Sequence, residues 1–441
     1  MLKATSFSRR LFNGIRFDCE VINLDKLLVK GGNRLKGTVC ISGAKNAAQP
    51  ILAASLLTKE KVTLHNVPEL GDVSSMIGML HGIGADVSFK DNIAEIIADK
   101  LNAGNLLYCE SATKIRGSTH VLAALLHRFN EVEIPLPGGC NLGTRGLDLH
   151  FEGLRKLGAR VNLRGSKIAV ELDELHGCNI PLYFPSVSAT ENIMIAACFA
   201  NGKSVIENAA KEPEIADLAN FLNSMGADIN GAGTETIEVK GVGELSGTEY
   251  TIMPDRIETG TYLVAAAICA GDIIVKNANL AFLDNVVSTL RKIGATITVT
   301  PDGVRATAKD NLCATDVITE VYPGFPTDMQ PAITSLLTVA EGQSTVKETI
   351  FDNRFNHVPE LLKMKADIKI KGNTLLINGK EKLFGAVVDA HDIRGGASLI
   401  LAALIADGTT TIENTQQIIR GYEKPLEKLQ GIGAECYLLP Q

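Results

Sequence analysis

The run Leu290-Arg291-Lys292-Ile293-Gly294-Ala295-Thr296-Ile297-Thr298-Val299-Thr300 reads as the last turn of an amphipathic helix, a glycine stop and a β-branched strand. Just upstream, Val287, Leu290 and Ile293 share one helical face at a spacing of three. Glycine after such a helix suits a left-handed cap. The same apolar-Gly-Ala signature recurs at Ile83-Gly84-Ala85, Leu157-Gly158-Ala159, Met225-Gly226-Ala227 and Ile432-Gly433-Ala434. A degraded copy, Met364-Lys365-Ala366, fills the remaining gap. Successive middle positions are 74, 68, 68, 71 and 68 residues apart, so six units of about 70 residues account for nearly the whole chain.

Each unit reads alike. An Ala-rich apolar helix comes first, as at Asn46 to Leu57, Thr190 to Ala200 and Ala397 to Ala406. A β-branched strand follows, as at Lys61 to His65 or Thr409 to Glu413, then the amphipathic helix that ends on Gly-Ala, then one or two strands. Alternation of helix and strand argues against a helical solenoid. The expected fold class is α/β, with six units divided as two domains of three and a candidate boundary in the polar stretch 241–249. A chain of 441 residues with 45% hydrophobic content is too large for one core, which also points to two domains.

The net charge of −7 argues against a general nucleic-acid binder, but a local cationic pocket can still take a small anion. The nine cysteines, at 19, 40, 109, 140, 178, 198, 269, 313 and 436, are scattered, and no CxxC pair occurs. A disulfide framework is poorly supported and a reducing, cytoplasmic setting is expected. The eight histidines form no HExxH or HxH cluster, so neither a metal nor a cofactor is called for. No apolar run approaches the ~18 residues of a membrane span. Residues 1–17 carry Lys3, Arg9, Arg10 and Arg16 and no acid before Asp18. They read either as an organelle presequence or as a disordered basic extension through residue 20, with the folded chain beginning near Val21.

Four segments carry candidate chemistry. In Ser42-Gly43-Ala44-Lys45-Asn46-Ala47-Ala48, a small-residue turn delivers Lys45 and Asn46 to a helix start, where free backbone N–H groups favour an anion. A first-turn lysine is also a common solvated surface residue. Pro135 to Arg145, with two prolines and three glycines, is a loop with Cys140 in its middle. Most cysteines are inert and buried, but one on such a loop, five residues before Arg145, sits in a positive setting that lowers its pKa. In Phe325-Pro326-Thr327-Asp328-Met329-Gln330, Asp328 is either a helix-start acid or a general base on the inter-domain cleft. Finally, Arg116, Arg394 and Arg420 each precede a glycine, which leaves the guanidinium unshielded and suggests a convergent site for phosphate or carboxylate.

These residues resemble the UDP-N-acetylglucosamine enolpyruvyl transferases from about Leu28 to the C-terminus. The motifs are SGAKNAA at Ser42 to Ala48, LPGGC at Leu136 to Cys140, ENAAKEPEI at Glu207 to Ile215, PDRIETG at Pro254 to Gly260, FPTDMQ at Phe325 to Gln330 and RGYE at Arg420 to Glu423. The sister family that makes enolpyruvylshikimate phosphate shares the six-unit plan but lacks the cysteine loop. The resemblance implies two inside-out α/β barrel domains, 45–251 and 21–44 plus 252–441, with the active site in the cleft between them. It implies that Lys45, Arg145 and Arg420 hold the phosphate of phosphoenolpyruvate and Arg394 its carboxylate. Asn46 and Asp328 would contact the sugar of a UDP-sugar, and Arg116 would lie near the nucleotide diphosphate. Arg145, Gly146, Leu147, Asp148 and Leu149 would line the uracil pocket, with further contacts from Ser186, Val187 and Ile350. Cys140 would protonate the substrate and be alkylated by the epoxide fosfomycin, with Asp328 and Lys45 completing the catalytic set. No metal, cofactor, membrane or obligate protein partner is implied.

This sequence departs from the pattern at Gly146, where proline is usual, and at Leu147, where valine or isoleucine is typical. Ser188 replaces a common glycine, and Phe184 stands where some members have lysine. All lie around the nucleotide-sugar pocket. Two alternatives follow: the same transfer to another uridine nucleotide such as UMP, or a catalytically silent nucleotide-sugar-binding paralogue. An RNA-end cyclase is disfavoured by the acidic charge and the absence of a basic strip.

Overall fold

The computed structural model describes residues 26–138, 146–352 and 354–439. Among them are six sheets, five of four strands and one of three. A typical sheet sets a short strand parallel to a second strand, which then pairs with a hairpin. Val317–Ile318 runs parallel to Gln343–Lys347, which pairs antiparallel with Thr374–Asn378, itself paired with Asp367–Lys371. Asn179–Pro181, Lys203–Glu207, Thr236–Lys240 and Asp228–Asn230 repeat the arrangement.

Three helices lie inside each lobe, and the amphipathic helices that end on the Gly-Ala signature lie outside with an exposed face, as in Asp284–Ile293, where Val286, Val287, Leu290 and Ile293 are the buried residues. In the first lobe Lys45–Ala54, Ser118–Leu125 and Val187–Ala197 pack together. In the second, Arg256–Ile268, Gln330–Leu337 and Ile393–Ala403 do the same. All thirteen residues of Arg256–Ile268 and all eleven of Ile393–Ala403 are buried, so these helices have no solvent face. Their Ala and Gly content lets them approach closely; a Cβ on Gly260 would fall 2.8 Å from the Met329 side chain. Two hydrophobic cores result, one drawn from residues 44–252 and one from 27–41 with 257–436.

Strands far apart in sequence complete the sheets. Lys26–Lys30 sits between Thr409–Glu413 and Glu435–Leu439, antiparallel to both. Lys36–Cys40 adds in parallel to Asp272–Lys276, and Glu249–Thr251 adds to Val62–His65. The polar stretch 241–248 therefore belongs to the surface of the first lobe, where Gly247 N–H donates to Glu60 at 2.7 Å, and the chain changes core only after Ile252.

The two crossings between lobes are tied to each other. Ala44 N–H donates to Met253 O at 2.8 Å and Asp255 N–H to Ser42 O at 2.9 Å. Gly43 packs so tightly here that a Cβ would lie 1.7 Å from Asn66 O, which excludes any side chain.

Two inner helices start earlier than their apolar runs suggested. Ser186 caps Val187–Ala197 by accepting from Ala189 N–H at 3.4 Å. Asp392 caps Ile393–Ala403 by accepting from Arg394 and Gly395 N–H at 3.0 and 2.9 Å. Arg394 is thus a first-turn helical residue.

The Gly-Ala signature is a left-handed stop: Gly84, Gly158, Gly226, Gly294 and Gly433 have φ between +94° and +123°. Lys365, in the degraded copy, takes the same turn at φ +69°. For a non-glycine this costs about 1 kcal/mol. Gly226→Ala, whose Cβ would meet nothing within 4 Å, should destabilise by roughly 1 kcal/mol through backbone conformation alone. Lys365→Gly should stabilise by about 0.5 kcal/mol, since the unfolded glycine's freedom offsets part of the relief. Urea unfolding of both variants checks the pair, and an unaffected Gly226→Ala would refute the argument.

Candidate active site

Between the lobes lies a cavity of about 530 Å³. Lys45 and Asn46 reach it from the start of Lys45–Ala54, just past the first crossing. The Lys45 ammonium is 3.2 Å from Asp72 Oδ2, and Arg420 Nε, from the opposite lobe, is 2.9 Å from Asp72 Oδ1. Asp72, 4% exposed in the first turn of Gly71–Gly82, therefore gathers two cations onto one carboxylate. The two cations still carry one more charge than it neutralises.

A second cluster faces the cavity from the second lobe. Asp328, in a short 3-10 turn, accepts from Arg354 at 2.8 Å and from Arg394 at 3.3 and 3.2 Å. Arg354 and Arg394 are 3% and 5% exposed. Arg354 Nε and Nη1 and Arg394 Nη1 have no hydrogen-bond acceptor among the described residues. Burial alone would raise the Asp328 carboxyl, but Arg394 and Arg354, with Lys45 beyond them, hold it well below the usual carboxylate range. Two buried guanidiniums on one carboxylate, with donors to spare, make a site for a small polyanion.

The remaining wall is polar. Arg116 Nη2 donates to Gly146 O at 2.9 Å. A Cβ on Gly146 would lie 1.9 Å from Asp148 Oδ1, so the Asp148 carboxylate fills the space a side chain at 146 would need. Tyr183, 71% exposed, donates its hydroxyl to the other oxygen of Asp148. Deeper in, Arg256 Nε is 2.9 Å from Glu214, and His120 Nε2 is 3.0 Å from Glu191. Burial pushes the Glu212 carboxyl up to about 7. Among the described residues, no group of three or more His, Cys, Asp or Glu is arranged to hold a metal ion, and no helix is long and apolar enough to cross a membrane.

Of the residues singled out from sequence, Lys45, Asn46, Arg116, Gly146, Asp148, Leu149, Ser186, Val187, Asp328, Ile350, Arg394 and Arg420 all line this cavity. Leu147 does not; it packs against the first-lobe core just before the helix Asp148–Lys156. Cys140 and Arg145 lie outside the described residues, within 139–145; Gly146, at the far end of that gap, is on the cavity wall. Sequence reasoning missed Asp72 and Arg354. Asp72 reads as an ordinary first-turn acid, and Arg354 in Phe351-Asp352-Asn353-Arg354 carries no spacing signal.

Comparison with known proteins places this fold and cleft among the enolpyruvyl, or carboxyvinyl, transferases. The family model described as EPSP synthase (3-phosphoshikimate 1-carboxyvinyltransferase) matches residues 29–429, and the chain belongs to that family. It is 48% identical over 412 residues to the UDP-N-acetylglucosamine 1-carboxyvinyltransferase of Halothermothrix orenii, covering 93% of this chain and 99% of that one. The protein so named from Magnetococcus marinus is 45% identical, covering 94% and 100%. Among solved structures, the enolpyruvyl transferase NikO from Streptomyces tendae aligns with a TM-score of 0.83 at 24% identity, over 94% of this chain and 99% of that one. EPSP synthase from Acinetobacter baumannii aligns with a TM-score of 0.73 at 19% identity, over 94% and 100%.

The charge arrangement at Asp328 sets a pH dependence. A carboxyl whose folded pKa is depressed contributes stability that is present above its unfolded value, about 3.9, and is lost as pH falls towards the folded value. Wild-type stability should therefore decline more steeply below about pH 4 than that of Asp328→Asn. Parallel unfolding curves across that range would contradict the clamp.

Proposed function

We propose that the protein transfers the enolpyruvyl group of phosphoenolpyruvate to the 3-hydroxyl of UDP-N-acetylglucosamine with release of phosphate. That reaction is the first committed step of peptidoglycan precursor synthesis, placed here in the cytoplasm. The observation that carries the reading is the pair of cationic clusters, Lys45 with Arg420 and Arg354 with Arg394, facing one cavity from both lobes. The names of relatives at 45–48% identity support the choice of acceptor.

Phosphoenolpyruvate is a small anion with separate phosphate and carboxylate ends. Lys45, Arg420 and Arg145 take the phosphate, and Arg394 takes the carboxylate. The sugar lies against Asn46 and Asp328, and the nucleotide along Arg116, Gly146 to Leu149, Ser186, Val187 and Ile350. The acceptor hydroxyl adds to C2 while Cys140 delivers a proton to C3, giving a tetrahedral intermediate. Loss of a C3 proton with departure of phosphate restores the double bond as an enol ether.

Asp328 is the acceptor of the hydroxyl proton, but a carboxylate clamped by two arginines is a weak base. Substrate carboxylate arriving at Arg394 removes part of that clamp and raises the basicity of Asp328 when it is needed. Closure of the two units, 45–251 against 21–44 with 252–441, expels water and strengthens each charge contact.

Phosphate release from phosphoenolpyruvate, measured with UDP-N-acetylglucosamine and with UMP, tests the reading. Turnover with the sugar nucleotide is expected; turnover with UMP alone would replace the acceptor, and none with either would leave a silent binder. Arg420→Ala should lower kcat/KM by about 100-fold or more, since a charged contact to the transferring group is lost. Fosfomycin should inactivate the enzyme by one covalent adduct at Cys140, and peptide mass spectrometry showing that thiol unmodified in inactive protein would contradict its placement.

A further inference from the structure

A hydrogen-bond chain to which the transfer chemistry assigns no task ends on the cavity wall at Ser188. Asn192 and His150 are buried, at 0% and 2% exposure. Asn192 Nδ2 is 3.0 Å from His150 Nδ1, and His150 Nε2 is 3.1 Å from Ser188 Oγ. An amide nitrogen only donates, so the ring accepts at Nδ1 and carries its proton at Nε2. Burial, with His120 and Arg116 nearby, pushes the imidazole down to about 3, which keeps the ring neutral. Nε2–H then donates to Ser188 Oγ. With its acceptor side used from behind, the serine has its own O–H left to give.

Ser188 is half-buried and lines the cavity from the first turn of the eleven-residue helix Val187–Ala197, beside Ser186 and Val187. A first-turn hydroxyl next to unpaired backbone N–H groups favours an acceptor-only, negatively charged oxygen. A glycine at this position would offer the backbone donor but no hydroxyl.

We propose that Ser188 is a specificity-determining residue for the acceptor substrate, its hydroxyl aimed by His150 and Asn192 to donate to a phosphoryl oxygen of the nucleotide. The assignment rests on the uridine-nucleotide reading of this cavity. His150 and Asn192 act as positioning residues; Ser188 makes the contact.

Steady-state kinetics of Ser188→Ala and Ser188→Gly test it. Both should raise KM for UDP-N-acetylglucosamine by about ten-fold, with kcat and the phosphoenolpyruvate KM within about two-fold of wild type. Inhibition by UDP, which has the diphosphate but no sugar, should weaken by the same factor. His150→Gln should raise the same KM, and adding it to Ser188→Ala should bring no further loss, because both remove one contact. An unchanged KM in the two Ser188 variants overturns the proposal. A loss confined to the sugar nucleotide, with UDP inhibition intact, also overturns it by moving the hydroxyl to the sugar. If wild-type protein neither turns over UDP-N-acetylglucosamine nor binds UDP, the uridine reading itself fails before any variant is made, and this assignment falls with it.

Discussion

One carboxylate, Asp72, makes the cleft possible. Lys45 and Arg420 come from different lobes, and like charges brought this close in a partly dry cavity repel unless an anion stands between them. Asp72 supplies that anion at 3.2 and 2.9 Å, and its backbone N–H also meets Arg420 O at 3.4 Å. The contact extends along the segment 420–424, where Glu423 accepts from Asn92 at 2.8 Å and Lys424 pairs with Glu69 at 2.9 Å. The Asp72–Arg420 contact therefore belongs both to the seam that joins the lobes and to the cationic floor of the cavity.

Across the cavity the arrangement repeats: one carboxylate, Asp328, is shared by two buried guanidiniums that have more donors than it can satisfy. Removing an acceptor from such a pair is costly, whereas adding one is favourable. The protein thus holds its cations in place with its own carboxylates, each of which leaves cationic capacity for a ligand. Preorganisation of this kind places the cost of desolvating charge in folding rather than in binding.

Much of this was legible because the repeat has a backbone cause. Apolar-Gly-Ala recurs because each outer helix ends on a residue at positive φ, and Lys365 obeys the same geometry without the glycine. The motif-bearing residues Lys45, Asp328, Arg394 and Arg420 were readable because they stand beside turns and caps, where local sequence dictates direction. Asp72 and Arg354 were not, since their meaning comes from partners 348 and 26 residues away in sequence. Leu147 packs on the first-lobe core instead of lining the cavity, because which way a residue points at a helix entrance is settled by the core behind it. The inner helices were read from their apolar runs, so their true starts, set by Ser186 and Asp392, fell three or four residues earlier.

The seating of the strand Lys26–Lys30 has a consequence for biosynthesis. It lies between Thr409–Glu413 and Glu435–Leu439, so it has neighbours on both edges only after the far end of the chain has been made. The lobe whose buried core is drawn from residues 44–252 can condense while translation continues. Lys26–Lys30 must instead wait, unpaired, until Thr409–Glu413 and Glu435–Leu439 are made, which leaves a β-edge open to wrong pairing until then.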